Sequence, residues 1–254
     1  MTTLVDLDVA LAGSGLRLVL LAGAPSPWSE AALAILRYKK LSFRCARSRT
    51  VEPAFQAWKG ARNLPALLMD DQPIRTGWAE ILALAESLKP EPSLVPSDPE
   101  ERIRMVGLCH ELMDEGGLSW CTRLLAIDAG LSSDGREGFS LRAAQHLAPR
   151  YGWTASCAPM ARDHAVEVLA LLDRELTQKA GPYYSGNSIT ALDLYSAAAL
   201  NALVPLPDAD CPMAAPVRAA FTWMGRALGD AITATLLAHR ERVVSELFEL
   251  PIAL

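Results

Sequence analysis

The chain has 254 residues, with 24 Lys and Arg against 29 Asp and Glu, giving a net charge of −5 at pH 7. A hydrophobic fraction of 51% beside 21% charged residues excludes a wholly disordered polymer and leaves length for one to two domains with a sizeable core. The acidic balance and an aromatic content of 6% argue against a dedicated nucleic-acid binder, which needs a Lys/Arg surplus and stacking surfaces.

Residues Met1 to Gly15 carry Asp6 and Asp8 but no early Lys or Arg, unlike the positive start of a secretory signal. The apolar run Leu16 to Gly23 contains Arg17 and is far shorter than the roughly 20 residues that span a bilayer. The expectation is a cytoplasmic protein with no membrane partner. Leu16 to Ala22 predicts a buried strand, ended by the turn Gly23-Ala-Pro25. A helix follows, with Ser26 as N-cap, Pro27 at the first helical position and apolar residues at Ala31, Ala32, Ile35, Leu36 and Tyr38. Leu41 to Ala46 alternates as a second strand, and Pro53 to Trp58 suits a short helix. Ala66 to Met69 and Pro73 to Arg75 read as a hairpin around Asp70-Asp71-Gln72, before a strong helix from Trp78 to Leu88.

Lys89 to Pro99 holds four prolines in 11 residues and cannot continue a helix. It divides the chain into a first domain over 16–88, a linker over 89–99 and a second domain over 100–254. That second part is helical nearly throughout: Glu100 to Met113, Ala161 to Lys179, Thr190 to Leu203, Ala215 to Leu228 and Ala231 to Leu247 carry apolar residues at helical spacing. The glycine-punctuated stretch Glu115 to Trp153 stays unassigned. The five cysteines (Cys45, Cys109, Cys121, Cys157, Cys211) are scattered without C-x-x-C spacing, as reduced thiols are, and the four histidines show no metal pairing. No metal is expected.

Three local patterns resemble the cytosolic glutathione transferases, which join an α/β thioredoxin-like N-terminal domain to an all-α C-terminal domain. The first is Ser26-Pro27-Trp28-Ser29-Glu30 at the opening of the first long helix, similar to the turn that meets the glutathione thiol. The second is Asn63-Leu64-Pro65-Ala66-Leu67 before the third strand. There the family carries a cis-proline, and the residue at Leu64 pairs its backbone with the cysteinyl segment of glutathione. The third is Gly186-Asn-Ser-Ile-Thr190-Ala-Leu-Asp193-Leu-Tyr195, which resembles the start of the family's central helix. Read by itself it is a capping box, with Thr190 as cap, Asp193 reaching back to the Thr190 N–H, and Ile189 placed as a hydrophobic staple.

The resemblance implies a homodimeric enzyme that joins the thiolate of glutathione, its co-substrate, to a small hydrophobic electrophile. Ser26 would stabilise the thiolate at the positive end of a helix, with Ser29 as the fallback and Trp28 beside them. Ser26 is equally readable as a helix cap alone, and Trp28 as turn packing. The family's acid–serine pair, which holds the γ-glutamyl carboxylate, is missing. Its place falls at Thr76-Gly77 or at Gly77-Trp78, depending on the register, with Arg75 and Thr76 as substitutes and the bulky Trp78 narrowing the subsite. Arg75 reads as well as a solvated edge charge. Cys109, His110, Met113, Trp120 and Arg123 fall where the family's helices line the substrate pocket, or are packing residues. A thiol–disulfide reductase would need cysteine at 26 or 29, where both are serine. A non-catalytic thiol-binding or scaffold protein on the same fold remains the alternative.

Overall fold

A computed structural model describes residues 2–58, 61 and 63–252. The N-terminal part contains β1 (Thr2–Leu4), α1 (Leu7–Ala12), β2 (Leu16–Leu21), α2 (Pro27–Tyr38), β3 (Phe43–Ser48), α3 (Pro53–Ala57), β4 (Ala66–Met69) and α4 (Trp78–Leu88). The sheet order is β1-β3-β2-β4, with β1 and β2 parallel to β3 and β4 antiparallel to β2. β2 is central and apolar on both faces. Its Leu18 and Leu20 join Ile35, Leu67 and Ile81 in one core, while Val19 joins Phe55, Trp58 and Leu68 in a second. Arg17 lies in this apolar run yet stays buried, because its guanidinium meets backbone carbonyls of Leu11, Gly13, Gly15 and Asp70 and covers the Trp58 ring.

Several elements differ from the sequence expectation. β1 and α1 lie in the stretch read as a lead, and three residues of strand are too short to show alternation. The second expected strand is displaced two residues, to Phe43–Ser48. The hairpin is reduced to a single bridge, Leu67 to Arg75, with both N···O distances 2.9 Å. Pro73 has no N–H to extend the ladder and Gly77 already opens a helix.

The proline-rich connection is held firmly. Lys39 is fully buried, pairs with Glu86 at 2.6 Å and donates to the carbonyls of Pro90 and Pro92 at 3.1 and 2.9 Å. Glu86 in turn accepts from the Leu94 N–H at 3.0 Å, and the Leu94 carbonyl accepts from the Ala191 N–H at 2.8 Å. The turns are thus locked by side chains because proline carbonyls lack helical partners.

Beyond it come α5 (Pro99–Met113), α6 (Leu118–Ser132), α7 (Leu141–Leu147), α8 (Cys157–Gln178), α9 (Ala191–Leu203), α10 (Ala215–Leu228), a 3₁₀ turn (Gly229–Ala231) and α11 (Ala234–Leu247). The unassigned stretch therefore contributes α6 and α7. α8 begins earlier than expected, since Pro159 sits in its first turn, where a missing N–H costs little. α11 begins later, capped by Thr233. The expected helical region to residue 254 is described as far as 252. Every residue of α9 is buried, and it is the hub of the helical domain.

At the start of α9 the Asp193 carboxylate accepts from the Thr190 N–H at 2.8 Å, as expected. Thr190 is the N-cap of α9 and the capping box is formed, and its hydroxyl also donates to the same carboxylate at 3.0 Å. The Tyr184 N–H at 3.1 Å and His239 Nε2 at 2.9 Å complete its shell.

Candidate functional site

A cleft of about 490 Å³ lies between the two domains. Leu21, Ala24, Ser26, Trp28, Leu64 and Thr76 to Trp78 form its sheet-domain side, and Met113 to Glu115, Trp120, Arg123, Tyr151 and Phe221 are among its helical walls. A second cavity of about 60 Å³, near Glu30, Arg47 and Phe248, is too small for a substrate.

Ser26 caps α2, because Pro27 pre-sets the first helical φ and carries no N–H to satisfy. Its Oγ accepts from the Ser29 N–H at 3.5 Å, the outer limit of a hydrogen bond, and its own proton has no acceptor among the described residues. The hydroxyl is therefore a cap and an available donor at once. Ser29 differs: it is fully buried, its Oγ accepts from the Leu21 N–H at 3.0 Å, and it is not in the cleft wall. Trp28 packs and lines together, donating from Nε1 to the Met113 carbonyl at 2.6 Å across the domain boundary.

The Leu64–Pro65 bond is cis. Pro65 is buried behind Leu64, whose backbone makes no hydrogen bond to another described residue and which borders the cleft. Asn63 and Thr50 beside it accept from the Arg150 guanidinium at 3.2 and 2.8 Å, a clasp from the helical domain.

Thr76 and Gly77 border the cleft at the start of α4, and Glu80 reaches back to the Gly77 N–H at 3.1 Å. Trp78 is buried edge-on against Tyr195, with ring centres 5.7 Å apart, and its Nε1 donates to Asp114 at 3.4 Å. Arg75 is not brought to the cleft. Its guanidinium donates to the Pro73 carbonyl at 3.3 Å and to Gln72 Oε1 at 3.1 Å, folded over its own turn.

On the helical side, Cys109 is core and His110 is exposed beside Asp114 at 2.8 Å, so neither borders the cleft. Met113, Trp120 and Arg123 do. Burial lowers the pKa of Arg123 from its ordinary value, and raises that of Tyr151 against the opposing charges of Arg123 and Arg150. Thr50 and Arg150 carried no signal in the sequence, and Asn63 was marked only as the start of the Leu64–Pro65 pattern, because the clasp joins partners some 87 to 100 residues apart. Among the described residues there is no group of His, Cys, Asp and Glu that could hold a metal ion, and no helix is long and apolar enough to cross a membrane.

The class defined by this arrangement is a thioredoxin-like sheet domain fused to a helical domain, with a cleft at their junction. Comparison with solved structures narrows it to the glutathione-transferase fold. The β-etherase LigF from Sphingobium sp. strain SYK-6 superposes with a TM-score of 0.62 at 19% identity, covering 91% of this chain and 95% of that one. A glutathione S-transferase from Xanthobacter autotrophicus Py2 gives 0.54 at 17% identity, over 94% and 98%. One from Methylobacterium radiotolerans, solved with glutathione sulfonate, gives 0.52 at 20% identity, over 89% and 93%. Neither a protein-family model nor a curated protein matches the sequence.

Proposed function

We propose that the protein is a glutathione-dependent transferase whose cleft joins the thiolate of glutathione to a small electrophile with an apolar body. The observation that carries this reading is Ser26, a cleft-wall hydroxyl with a proton to give, at the N-terminus of α2. Donation from Ser26 Oγ to sulfur, with the positive end of the helix behind it, favours the thiolate and so raises the nucleophile's population. The unpaired backbone of Leu64, before the cis-proline, offers the cysteinyl segment an N–H and a C=O. The Thr76 hydroxyl and the first amides of α4 are offered to the γ-glutamyl carboxylate in place of an acid–serine pair. In the reaction a carbon–sulfur bond forms, the electrophile's leaving group departs with its electron pair, and the thiol proton passes to solvent.

A second reading, ligand binding without turnover, is favoured by Glu80. Its carboxylate already occupies the Gly77 N–H, and its charge opposes another carboxylate at the same helix end.

Calorimetry with glutathione and a conjugation assay with 1-chloro-2,4-dinitrobenzene separate the two. Turnover in the wild type should fall roughly tenfold to a hundredfold in Ser26→Ala, with the pH–rate profile moving alkaline by about one to two units as the thiol loses its stabilisation. Ser29→Ala should leave that profile in place. Binding without turnover would favour the second reading, and no heat of glutathione binding at millimolar concentration would sink both.

A further inference from the structure

Arg123 is the most unusual side chain in the cleft. It is 5% exposed, and its one hydrogen bond among the described residues is from Nη1 to the Met224 thioether at 3.4 Å. A thioether is a weak acceptor, and no carboxylate among the described residues pairs with the guanidinium. The rings of Phe221, at 4.8 Å, and Trp28, at 5.9 Å, flank it instead. Cation–π contact recovers part of the hydration lost, and no Arg123 nitrogen is among the fully buried polar atoms without a partner, so the guanidinium's remaining N–H donors open to the cleft, where they are placed to meet an anion.

The other charged and titratable groups around this wall do not supply one. Asp114 is engaged by His110 at 2.8 Å and by Trp78 at 3.4 Å. Glu115 is exposed at the rim. Arg150 is clasped to Thr50 and Asn63. Tyr151, packed on Trp120 with ring centres 4.5 Å apart, contributes a hydroxyl and no charge.

We propose that Arg123, with the Tyr151 hydroxyl beside it, is the acid-binding subsite of the cleft, and that the second substrate is an aromatic molecule bearing a carboxylate. Trp28, Trp120, Tyr151 and Phe221 clasp the ring, while Arg123 forms a charge-assisted pair with the carboxylate. This rests on the transferase reading for which molecule is the second substrate, but the subsite itself requires no glutathione.

The test therefore begins without glutathione. 4-Chloro-3,5-dinitrobenzoate and its neutral benzamide have the same ring and differ in charge. By calorimetry, wild-type protein should bind the benzoate about tenfold or more tightly than the benzamide, as a desolvated charged pair implies. Arg123→Met should abolish the preference, with an unchanged far-UV circular dichroism spectrum and urea midpoint reporting an intact fold, and Arg123→Lys should retain part of it. Equal affinities in the wild type would overturn the proposal without need of any variant. So would a preference surviving in Arg123→Met. Displacement of the benzoate by S-methylglutathione, with S-methylglutathione binding lost in Arg123→Met, would assign Arg123 to the tripeptide and overturn it as well. Preference for the benzoate without conjugation on adding glutathione would leave the subsite standing and refute the transferase reading alone.

Discussion

Asp193 is the point at which one substitution should do most damage to this fold. Its carboxylate is fully buried and accepts from four donors: the Thr190 N–H, the Thr190 hydroxyl, the Tyr184 N–H and His239 Nε2. In Asp193→Ala all four donors lose their acceptor, and burial keeps bulk water away. Two are backbone N–H groups, each costing about 1 kcal/mol or more when left buried and unpaired. The other two lose a charged acceptor, and His239 Nδ1 already lacks a partner, so that ring cannot recover by turning. The sum is about 3–5 kcal/mol, the range for breaking a buried charged pair from one side. For a chain of this size, that corresponds to a fall in Tm of about 10 °C. Asp193→Asn keeps the shape but offers one oxygen and an NH₂, so two of the four donors lose their acceptor and the expected cost is about half. Urea denaturation followed by circular dichroism measures both, with the m-value as a check that the same transition is being compared. A loss below about 1 kcal/mol for Asp193→Ala, at unchanged m, would refute the view that this carboxylate organises the helical domain. The consequence would reach the cleft, because α9 carries Tyr195, whose hydroxyl donates to the Trp78 carbonyl at 2.9 Å.

Gly225 lies where α10 crosses α9, and a Cβ there would stand 2.2 Å from the Leu203 carbonyl oxygen, which is backbone and cannot turn aside. Gly225→Ala should therefore cost about 1–3 kcal/mol by separating the two helices, read as a lower urea midpoint. The cysteines should differ in reactivity. Burial pushes Cys45, Cys121 and Cys211 up to about 11, and Cys109 is also raised, while Cys157 is half-buried. A thiol with a pKa near 11 is thiolate in about one molecule in ten thousand at pH 7, so its labelling stays slow until the pH nears that value. Ellman's reagent should thus find one fast thiol in the native protein, lost in Cys157→Ser, and five after denaturation; two or more fast thiols at neutral pH would contradict the burial.

How much of the site could be read in advance divides along the length of the contacts. The Ser26-Pro27 cap and the Asp193 reach-back are set by neighbours within a few residues, so a linear pattern carries them, whereas the cis Leu64–Pro65 bond was expected only from the family resemblance. Arg75 shows the opposite case. In the sequence it was the nearest positive charge to the missing acid–serine pair, but its guanidinium folds onto Gln72 and Pro73. Three residues of turn decide that direction, and the spacing does not record it. Local positive charge does exist in the cleft, at Arg123, which in the sequence is one arginine within a helix of ordinary composition.

A family resemblance carried the fold as a whole; by itself the sequence determined the strand–helix alternation over 16–88, the proline-rich break and the helices outside 115–153. Those features depend on apolar period, proline chemistry and capping, all local. The tertiary structure alone decided that Thr2–Leu4 adds an edge strand, that Ser29 is buried against the Leu21 N–H away from the cleft while Ser26 lines it with a proton to give, and that a buried guanidinium stands among aromatic rings without a counter-ion. Each of these is a pairing or a desolvation created by residues from different elements, and neither exists until the chain has folded around it.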